Sequence, residues 1–384
     1  MWYSECNEHA ALNNHSHRSS LGRCGARIVS RLPHPFARRI LIAVLVVSTI
    51  GGVVASRLIW EWYTALANVN AMLVEERVLP TIPPEPTAIG LVATAPPALA
   101  AGAPTPTVTP RPEHADAINI LLLGTDARPG ERISRTDAII LVHLNPRMNR
   151  VSMLSVPRDL TVDVPGFGSN KVNAAYAIGE QQLGAGYGPS LAKATVSQLV
   201  GVPVHNVVVV NFDGFQHIVD TLGGISIDVP QPIDDPYFPV DEYAGDVRTM
   251  PVKFSSGPQV MDGRTALMYA RTRHADNDFG RNQRQQQVLM AIFDAIRAKG
   301  LLSQLTSIDD YTAALRDAIR TDLSHSQLLW LAQVGSQLDA GAIQRYAINS
   351  RMIIVLDEYE NFAADPAAVR QIIDEMTAGG TEAP

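Results

Sequence analysis

The stretch Asn119-Ile-Leu-Leu-Leu-Gly-Thr-Asp126 is an apolar run of strand length that ends in a carboxylate. Two similar runs follow at 138–144 and 151–156, with Asp137 directly before the first of them and Arg158 just after the second. Runs of this length and composition are typical of buried strands. Charged groups at neighbouring strand ends would gather on one rim of a sheet, where ligands of open α/β sheets usually bind. The sequence therefore predicts a ligand site at this rim.

The rest of the globular part alternates between strand-like and helix-like segments. Strand patterns occur at 207–210, 225–229 and 344–348, and helical patterns at 170–182, 191–200, 212–222, 263–270 and 367–376. Such alternation predicts an α/β fold with a mixed central sheet flanked by helices on both faces. Segment 230–258 has several prolines and acids but no periodicity, so it is predicted to be a long loop or lid.

A second charged stretch reads Arg271-Thr-Arg-His-Ala-Asp-Asn-Asp-Phe-Gly-Arg281-Asn-Gln-Arg284-Gln285. It lies between two helical patterns and places four arginines close together. Arginine forks match phosphate oxygens in bidentate geometry, and two aspartates can hold a hard divalent cation that bridges the same oxygens. The acid pair and the arginine cluster together predict a site for a metal and a diphosphate.

Each of these features also has a simpler interpretation. A single aspartate after a strand more often forms a turn, and an arginine-rich helix start is usually a solvated face. The turn Gly184-Ala-Gly-Tyr-Gly188 superficially resembles a nucleotide loop. It follows a helix and lacks the Lys-Ser/Thr of a P-loop, so it is predicted to be a flexible connector.

In combination, these residues resemble the LytR-CpsA-Psr family of bacterial envelope proteins. The resemblance extends over roughly 117–299. Its landmarks appear in order as Leu-Gly-Thr-Asp126, Ser-Arg-Thr-Asp137, Val-Pro-Arg158-Asp159, Lys171-Val-Asn173, Asp220-Thr-Leu-Gly-Gly224, the helical pattern 263–270, and the stretch from Arg271 to Gln285. The family moves glycopolymers from a polyprenyl-diphosphate carrier onto the cell wall.

The resemblance implies a phosphotransferase with a metal-diphosphate centre. Mg²⁺, or Mn²⁺ in its place, would be held by Asp126 and Asp137. The implied diphosphate ligands are Arg135, Arg158, Arg271, Arg273, Arg281 and Gln285. The candidate catalytic residues are Arg135, Arg158 and Asp278, where Asp278 is either a base or a group that orients arginines. His274 is a further possible base. A sugar hydroxyl of peptidoglycan would attack the phosphorus that bears the glycan.

The sequence departs from the family pattern after Pro157-Arg158-Asp159. Many members have a further basic residue shortly after this motif, whereas Thr161, Val162 and Asp163 follow here. The departure predicts an arginine clamp with one arm fewer, or a preference for a different glycan.

An amphiphilic carrier also needs an apolar trough for its isoprenoid tail. Helical segments 288–296 and 323–331 have apolar faces that could line such a trough, although similar faces often belong to an ordinary core. A cavity open at the charged rim would distinguish these interpretations.

The N-terminal third is predicted to anchor the domain outside the cell. An arginine-rich stub at 1–39 precedes an apolar run at 40–60, which is followed by the interfacial residues Trp62 and Tyr63. The positive-inside rule then predicts a cytoplasmic stub and a single-pass signal anchor in the cell membrane, with a cleaved signal peptide as the alternative. Both cysteines lie in the stub, so the exported part has no disulfide.

The predicted order after the anchor is a juxtamembrane helix at 61–79, a proline-rich linker at 80–116, an extracellular catalytic domain at 117–360, and a C-terminal helix and tail at 361–384. The linker has ten prolines, counting Pro80, interleaved with alanine and threonine. At about 3.1 Å per residue, such a segment could extend on the order of 100 Å and let the domain sample the wall. A disordered or O-glycosylated spacer would give the domain nearly the same reach.

Composition and length limit the rival functions. The net charge of −7 argues against a general nucleic-acid surface, and the stub is too short and unpatterned for a helix-turn-helix. A transcription attenuator is therefore disfavoured, and nucleic acid is not an expected partner. A protein that only binds polyprenyl phosphates and a pyrophosphatase remain open alternatives. The expected partners are a polyprenyl-diphosphate-linked glycan, peptidoglycan and the cytoplasmic membrane.

Overall fold

The computed structural model describes residues 67, 70–80, 117–127, 131, 133–240, 248–273, 278–299, 319–338, 341, 343–357 and 361–377. All of them belong to the second of two compact units, Ala65–Pro384. None of the helices in this described part is long and apolar enough to span a bilayer. The stub at 1–39, the predicted anchor at 40–60 and nearly all of the predicted linker lie outside the described residues.

A mixed six-stranded sheet organises the domain. The strands along the chain are β1 (Ile118–Thr125), β2 (Thr136–Asn145), β3 (Arg150–Ser155), β4 (Thr161–Val164), β5 (Gly168–Lys171), β6 (Asn206–Asn211), β7 (Ile225–Val229), β8 (Ile233–Pro239), β9 (Thr249–Phe254), β10 (Gly257–Met261), β11 (Ile319–Thr321), β12 (Ile343–Ala347), β13 (Ile353–Val355) and β14 (Phe362–Ala364). The central order is β11-β6-β1-β2-β3-β12. β1 pairs antiparallel with β2 and parallel with β6, which confirms the predicted mixed sheet.

Seven α-helices accompany these strands in the described residues. They are α1 (Ala174–Ile178), α2 (Gly188–Val200), α3 (Phe212–Thr221), α4 (Gly263–Arg271), α5 (Asp278–Ala298), α6 (His325–Gln337) and α7 (Pro366–Thr377). Side-chain oxygens cap several of them, because the first N–H groups of a helix have no partner within it. Asp262 accepts from Thr265 N at the start of α4, and Ser324 and Gln327 form a capping box at α6.

The two faces of the sheet are covered by different helices. Leu121 and Leu123 of β1 point into the main core, which also contains Val196 of α2 and Ile373 of α7. The intervening residue Leu122 faces the opposite side, toward α5 and α6. Because side chains alternate along a strand, the continuous apolar run of β1 serves both faces. The predicted flanking helices are thus confirmed.

The C-terminal helix is part of this core. Val369, Ile373 and Met376 of α7 are buried in the main cluster, and Ala364 of β14 joins them. The predicted boundary at 360 therefore cuts through a packed unit, because the hydrophobic side of α7 is needed to cover the sheet.

Two predicted segments differ in the structure. The predicted loop at 230–258 contains the antiparallel hairpin β8–β9, whose Phe238 and Val252 join a second core with Ile227 and Tyr269. Burial of these alternate apolar residues outweighs the local proline content. The predicted helix at 170–182 begins only at Ala174, because residues 168–171 pair with β4 in a hairpin.

The chain before the proline-rich segment also differs from the expected helix at 61–79. Ala67 and residues 70–72 are helical, but Leu73 forms a parallel bridge with Thr321 of β11. Val74 N donates to Thr321 O at 2.7 Å. The predicted helix therefore ends at Met72, because the following backbone hydrogen-bonds to the edge of the sheet.

Neighbouring residues of β1 allow a test of this two-sided packing. Leu121 is fully buried in a close-packed core, whereas Leu122 borders an apolar cavity. We expect Leu121→Ala to lower the free energy of unfolding by about 3 kcal/mol, and Leu122→Ala to lower it by about 1 kcal/mol less, since fewer contacts are lost beside a void. Urea denaturation monitored by circular dichroism measures both. Equal losses would contradict the assigned faces.

Candidate functional site

The charged rim is the edge of the sheet where β1 ends, β2 begins and β3 ends. Thr125 and Thr136 are paired across β1 and β2, and each is followed by an aspartate, Asp126 or Asp137. The register shifts just before Thr125, so the end of β1 is irregular, and such irregularities re-aim side chains. The two carboxylates are therefore neighbours in space although ten residues separate them in sequence.

Arg158 connects three parts of the rim. Its Nη1 donates to Asp137 Oδ1 at 2.6 Å and its Nε donates to Asp159 Oδ2 at 3.3 Å. The same Nε lies 4.0 Å from Asp278 Oδ2 at the start of α5. One guanidinium thus links β2, the loop after β3 and α5.

These contacts fix the charge states of the group. Burial disfavours the charged guanidinium, but the carboxylates of Asp137, Asp159 and Asp278 outweigh burial and raise the pKa of Arg158. Burial likewise opposes ionisation of Asp159, yet Arg158 and then Lys171 lower the pKa of that carboxyl. The shifts of Arg158 and Asp159 therefore both favour the charged form of the group.

The first turns of α5 supply the opposite wall of the rim. Arg281 Nη1 forms an ion pair with Asp278 Oδ1 at 3.1 Å, so the Asp278 carboxylate lies between Arg158 and Arg281. One turn further, Gln285 Nε2 lies 3.5 Å from the backbone oxygen of Asp137. Helical spacing places these three residues of α5 toward the sheet edge.

Arg281 has unused hydrogen-bonding capacity. Its side chain is 4% exposed, and its Nε and Nη2 are buried with no hydrogen-bond partner among the described residues. Burial, followed by the positive charge of Arg158, lowers the pKa of Arg281. Buried donors without partners cost about 1–3 kcal/mol each, so an anion at this position would be strongly stabilised.

Arg271 approaches the rim from the end of α4. Its guanidinium carbon lies 4.5 Å from the ring centre of Phe212 and 5.5 Å from that of Phe238. These rings hold the side chain by cation–π contact. Its charge acts on Asp126, whose pKa it lowers against larger opposing effects.

The electrostatics of Asp126 fit a divalent cation. Burial and the neighbouring Asp137 carboxylate raise the pKa of Asp126. Two carboxylates that repel each other form the donor set that Mg²⁺ uses when water and phosphate oxygens supply the remaining ligands. No group of three or more His, Cys, Asp or Glu side chains suited to a metal occurs in the described part of the chain, so a fully protein-made cage is absent there.

The structure brings together seven of the nine predicted site residues: Asp126, Asp137, Arg158, Arg271, Asp278, Arg281 and Gln285. Arg135 is exposed directly before β2 and forms no ion pair with another described residue. Arg273 is also exposed; its backbone N–H donates to Asp235 Oδ2 at 3.3 Å. His274 lies outside the described residues.

Two further residues of the rim were not assigned a role from sequence. Asp159 lies between Arg158 and Lys171, with Lys171 Nζ 3.5 Å from Asp159 Oδ1. Lys171 reaches this position because it pairs with Thr161 across the β4–β5 hairpin. Lys171 thus adds a basic group to the rim that was not assigned a role from sequence. Recognition of the β4–β5 hairpin in the sequence would have shown that Lys171 lies close to the Pro-Arg-Asp motif.

Arg284, the fourth arginine of the predicted cluster, has a structural task. Its Nε donates to Tyr269 O at 3.1 Å, and its Nη2 donates to Thr272 O. The side chain thus satisfies carbonyl groups at the end of α4, which have no partner inside that helix. Arg284 therefore holds the end of α4 against α5.

An apolar pocket, partly open to solvent, lies on the face of the sheet that α5 and α6 cover. It has a volume of about 290 Å³ and lies between the sheet and the helices α5 and α6. The lining is apolar throughout: Ile120, Leu122, Val142, Leu144, Val151, Met153, Leu289, Met290, Ile292, Phe293, Ile296, Leu331, Gly335, Leu338 and Ile343. Leu289 follows Gln285 by one helical turn, so the same side of α5 borders both the rim and the cavity.

The raised pKa of Asp126 gives a pH test. A carboxyl whose folded-state pKa is raised binds a proton more readily in the native state, so native stability falls as pH rises through that pKa. We expect Asp126→Asn to raise the melting temperature at pH 7 in chelator-treated buffer, with the gain disappearing near pH 4. Asp374→Asn, on an exposed face of α7, is the control. A lower melting temperature for Asp126→Asn at pH 7 would contradict the assignment.

The sequence is similar to one family of known proteins. The LytR_cpsA_psr family model matches residues 93–378. The chain is 35% identical over 215 residues to the polyisoprenyl-teichoic acid–peptidoglycan teichoic acid transferase TagU of Oceanobacillus iheyensis, over 56% of this chain and 61% of that protein. The aligned region therefore spans about three-fifths of the length of this relative.

Solved structures share the fold. The crystal structure of B. subtilis TagV is 28% identical with a TM-score of 0.53, over 68% of this chain and 97% of TagV. The structure of TagT bound to LI-WTA is 26% identical with a TM-score of 0.53, over 70% of this chain and 93% of TagT. Because the family model matches most of the length of this chain, the chain belongs to the LytR_cpsA_psr family.

Proposed function

We propose that this protein is a phosphotransferase that moves a glycopolymer from a polyprenyl-diphosphate carrier onto peptidoglycan. The main support is the buried Arg281 guanidinium, whose Nε and Nη2 have no hydrogen-bond partner among the described residues. The helix that carries it, α5, also lines a wholly apolar cavity. A helix that carries a buried cationic group and also lines an apolar cavity suits an amphiphilic diphosphate. The TagU relative is named as a transferase of teichoic acid from a polyisoprenyl carrier to peptidoglycan, and the TagT structure holds LI-WTA.

The diphosphate would lie between Arg158 and Arg281. Both guanidinium groups are oriented by Asp278, with separations of 4.0 and 3.1 Å. Arg271, held by its two phenylalanine rings, adds charge on the side of Asp126. Pre-oriented cations that need no rearrangement stabilise the charge that develops on a transferring phosphoryl group.

Asp126 and Asp137 would hold Mg²⁺, or Mn²⁺ in its place. The bound cation would neutralise phosphate oxygens and polarise the phosphorus toward attack. Asp137 would serve the metal while it also accepts from Arg158 at 2.6 Å, so the cation and the guanidinium share one carboxylate. Gln285 fixes the backbone at Asp137 through its side-chain amide.

The reaction we propose is a single displacement at phosphorus. The hydroxyl oxygen of a peptidoglycan sugar forms a bond to the phosphorus that bears the glycan, and the bond from that phosphorus to the bridging oxygen breaks. Polyprenyl phosphate leaves with the electron pair, and the hydroxyl proton passes to a carboxylate at the rim. Asp278 is our candidate for this carboxylate, besides its role in orienting the arginines.

The isoprenoid tail would enter the cavity between the sheet and α5. Its volume of about 290 Å³ accommodates only part of a long chain, so the remainder would extend along the apolar face or into the membrane. This arrangement agrees with a single-pass protein whose N-terminus is inside the cell and whose catalytic domain is outside. Anchoring would be tested by alkaline carbonate extraction, in which an anchored protein stays in the pellet.

Loss of the Arg281 side chain tests the diphosphate clamp. We expect Arg281→Ala to reduce transfer from a lipid-linked glycan to peptidoglycan on the order of 100-fold, since one buried cation of the site is removed. The control is Arg264→Ala, which removes an exposed arginine of α4. Unchanged transfer by Arg281→Ala would contradict the clamp.

The same assay separates the enzymatic alternatives. Transfer to peptidoglycan supports the proposed reaction. Release of glycan phosphate into water in place of transfer would identify a pyrophosphatase, and tight binding with no product would identify a carrier-binding protein. Either result would overturn the proposed activity.

Filling the cavity tests the tail site. A Cβ added at Gly335 would lie 4.0 Å from Phe293 Cε2, so a larger side chain can point into the cavity without a close contact at its base. We expect Gly335→Phe to weaken binding of a long-chain polyprenyl diphosphate at least tenfold. Binding of a diphosphate with a very short tail should change little.

The matched control introduces a phenylalanine at the adjacent position, Ser336. Ser336 is exposed on α6, so Ser336→Phe should leave the affinity for both ligands unchanged. Isothermal titration calorimetry measures both affinities. Equal affinity of Gly335→Phe and the parent protein for the long-chain ligand would remove the cavity from the proposal.

A further inference from the structure

Residues 70–80 lie against the domain although they precede the proline-rich segment. Leu73 bridges to Thr321 in parallel fashion, and Val74 N donates to Thr321 O at 2.7 Å. β11, the outermost strand on that side of the central sheet, is thereby covered by backbone from this segment. Covered edges protect a sheet from unwanted pairing, and the hydrogen bonds fix the register of the covering chain.

A buried ion cluster reinforces the contact. The Lys193 side chain is 10% exposed, and its Nζ lies 2.7 Å from Glu76 Oε1 and 2.7 Å from Asp322 Oδ2. Asp322 is also bonded to the backbone N–H of Val207, at 2.8 Å. Glu76 therefore supplies one of two carboxylates for a buried ammonium group. The Glu76 side chain is 57% exposed, so only the lysine end of this ion pair is buried; loss of Glu76 leaves Lys193 with Asp322 as its remaining carboxylate.

The glycine-rich turn receives the next residue of this segment. The guanidinium carbon of Arg77 lies 5.3 Å from the ring centre of Tyr187. Gly186 has φ +87°, and a Cβ there would lie 3.0 Å from Arg77 Nε, so a side chain would obstruct the approach. The Glu180 carboxylate accepts from Gly186 N and Gly188 N and holds the turn in place. The turn is thus an ordered docking surface, contrary to the flexible connector expected from sequence.

The two ends of the proline-rich segment are anchored in one neighbourhood. Lys193 Nζ, which binds Glu76, also donates to His205 O at 3.2 Å. His205 N in turn donates to Asn119 O at 2.9 Å, at the start of β1. Glu76, close to the start of the proline-rich segment, and Asn119, just after its end, therefore lie in one neighbourhood of the domain.

We propose that residues 70–80 form a docked strap that attaches the N-terminal part of the protein to the catalytic domain. The proline-rich segment 81–116 is then a loop with both ends on the domain, and it does not set the reach of the domain. Under the membrane anchoring proposed above, the spacing between anchor and active site is set by the few residues before the strap.

Cleavage within the loop tests the strap directly. A recognition site for a sequence-specific protease is inserted within 81–116 of the full-length protein, and the cut protein is passed over a size-exclusion column in detergent. We expect the N-terminal fragment and the domain to co-elute, because the strap contacts remain. Separation of the two fragments at moderate salt would overturn the proposal. Co-elution depends on neither membrane insertion nor transfer activity. Separation of the fragments would therefore overturn the strap without contradicting the proposed function.

Variants identify the contacts responsible. Glu76→Ala and Arg77→Ala should each lower the affinity between the fragments at least tenfold and cause separation on the column. Glu75→Ala removes the same charge from an exposed neighbour and should leave co-elution unchanged. Retained co-elution of both strap variants at the same concentration would contradict the assigned contacts. Uncut samples of each variant, checked by thermal melting, establish that the domain is folded.

Discussion

The ion pair between Arg158 and Asp137 is the interaction on which the site depends. Arg158 Nη1 and Asp137 Oδ1 are 2.6 Å apart, and this ion pair joins the start of β2 to the loop after β3. Asp278 extends the connection to α5, so three separate parts of the chain converge on one guanidinium. A partly buried arginine with three carboxylate neighbours has little freedom to move, which gives the rim a fixed geometry before any ligand arrives.

The rim is not optimised for the stability of the protein alone. Arg281 is buried with two nitrogens that have no partner among the described residues, and Asp126 is half-buried beside a second carboxylate. Both arrangements cost free energy in the absence of ligand. Both costs would be relieved by a diphosphate with a divalent cation, since phosphate oxygens accept from Arg281 and the cation separates the two carboxylates. The strained electrostatics thus support the proposed function.

Sequence patterns predicted the sheet and most of the rim because the chemistry lies at the ends of three clear apolar runs. They did not show the direction of every arginine in the second stretch: Arg273, assigned to the diphosphate, is exposed, whereas Arg284, which was given no role, binds carbonyl oxygens of α4. Lys171 was missed because the β4–β5 hairpin has weak periodicity. The docking of residues 70–80 depends on a buried partner, Lys193, that lies more than a hundred residues away.

The central claim is that Asp126, Asp137, Arg158 and Arg281 surround one metal-diphosphate centre next to an apolar cavity. A crystal structure with Mn²⁺ and a polyprenyl diphosphate, recorded at a wavelength that gives manganese anomalous signal, tests this claim most directly. The account predicts an anomalous peak between the two aspartates, phosphate density between the two arginines, and a tail in the cavity lined by Leu122 and Gly335. Manganese or diphosphate bound elsewhere, with these side chains uninvolved, would contradict it.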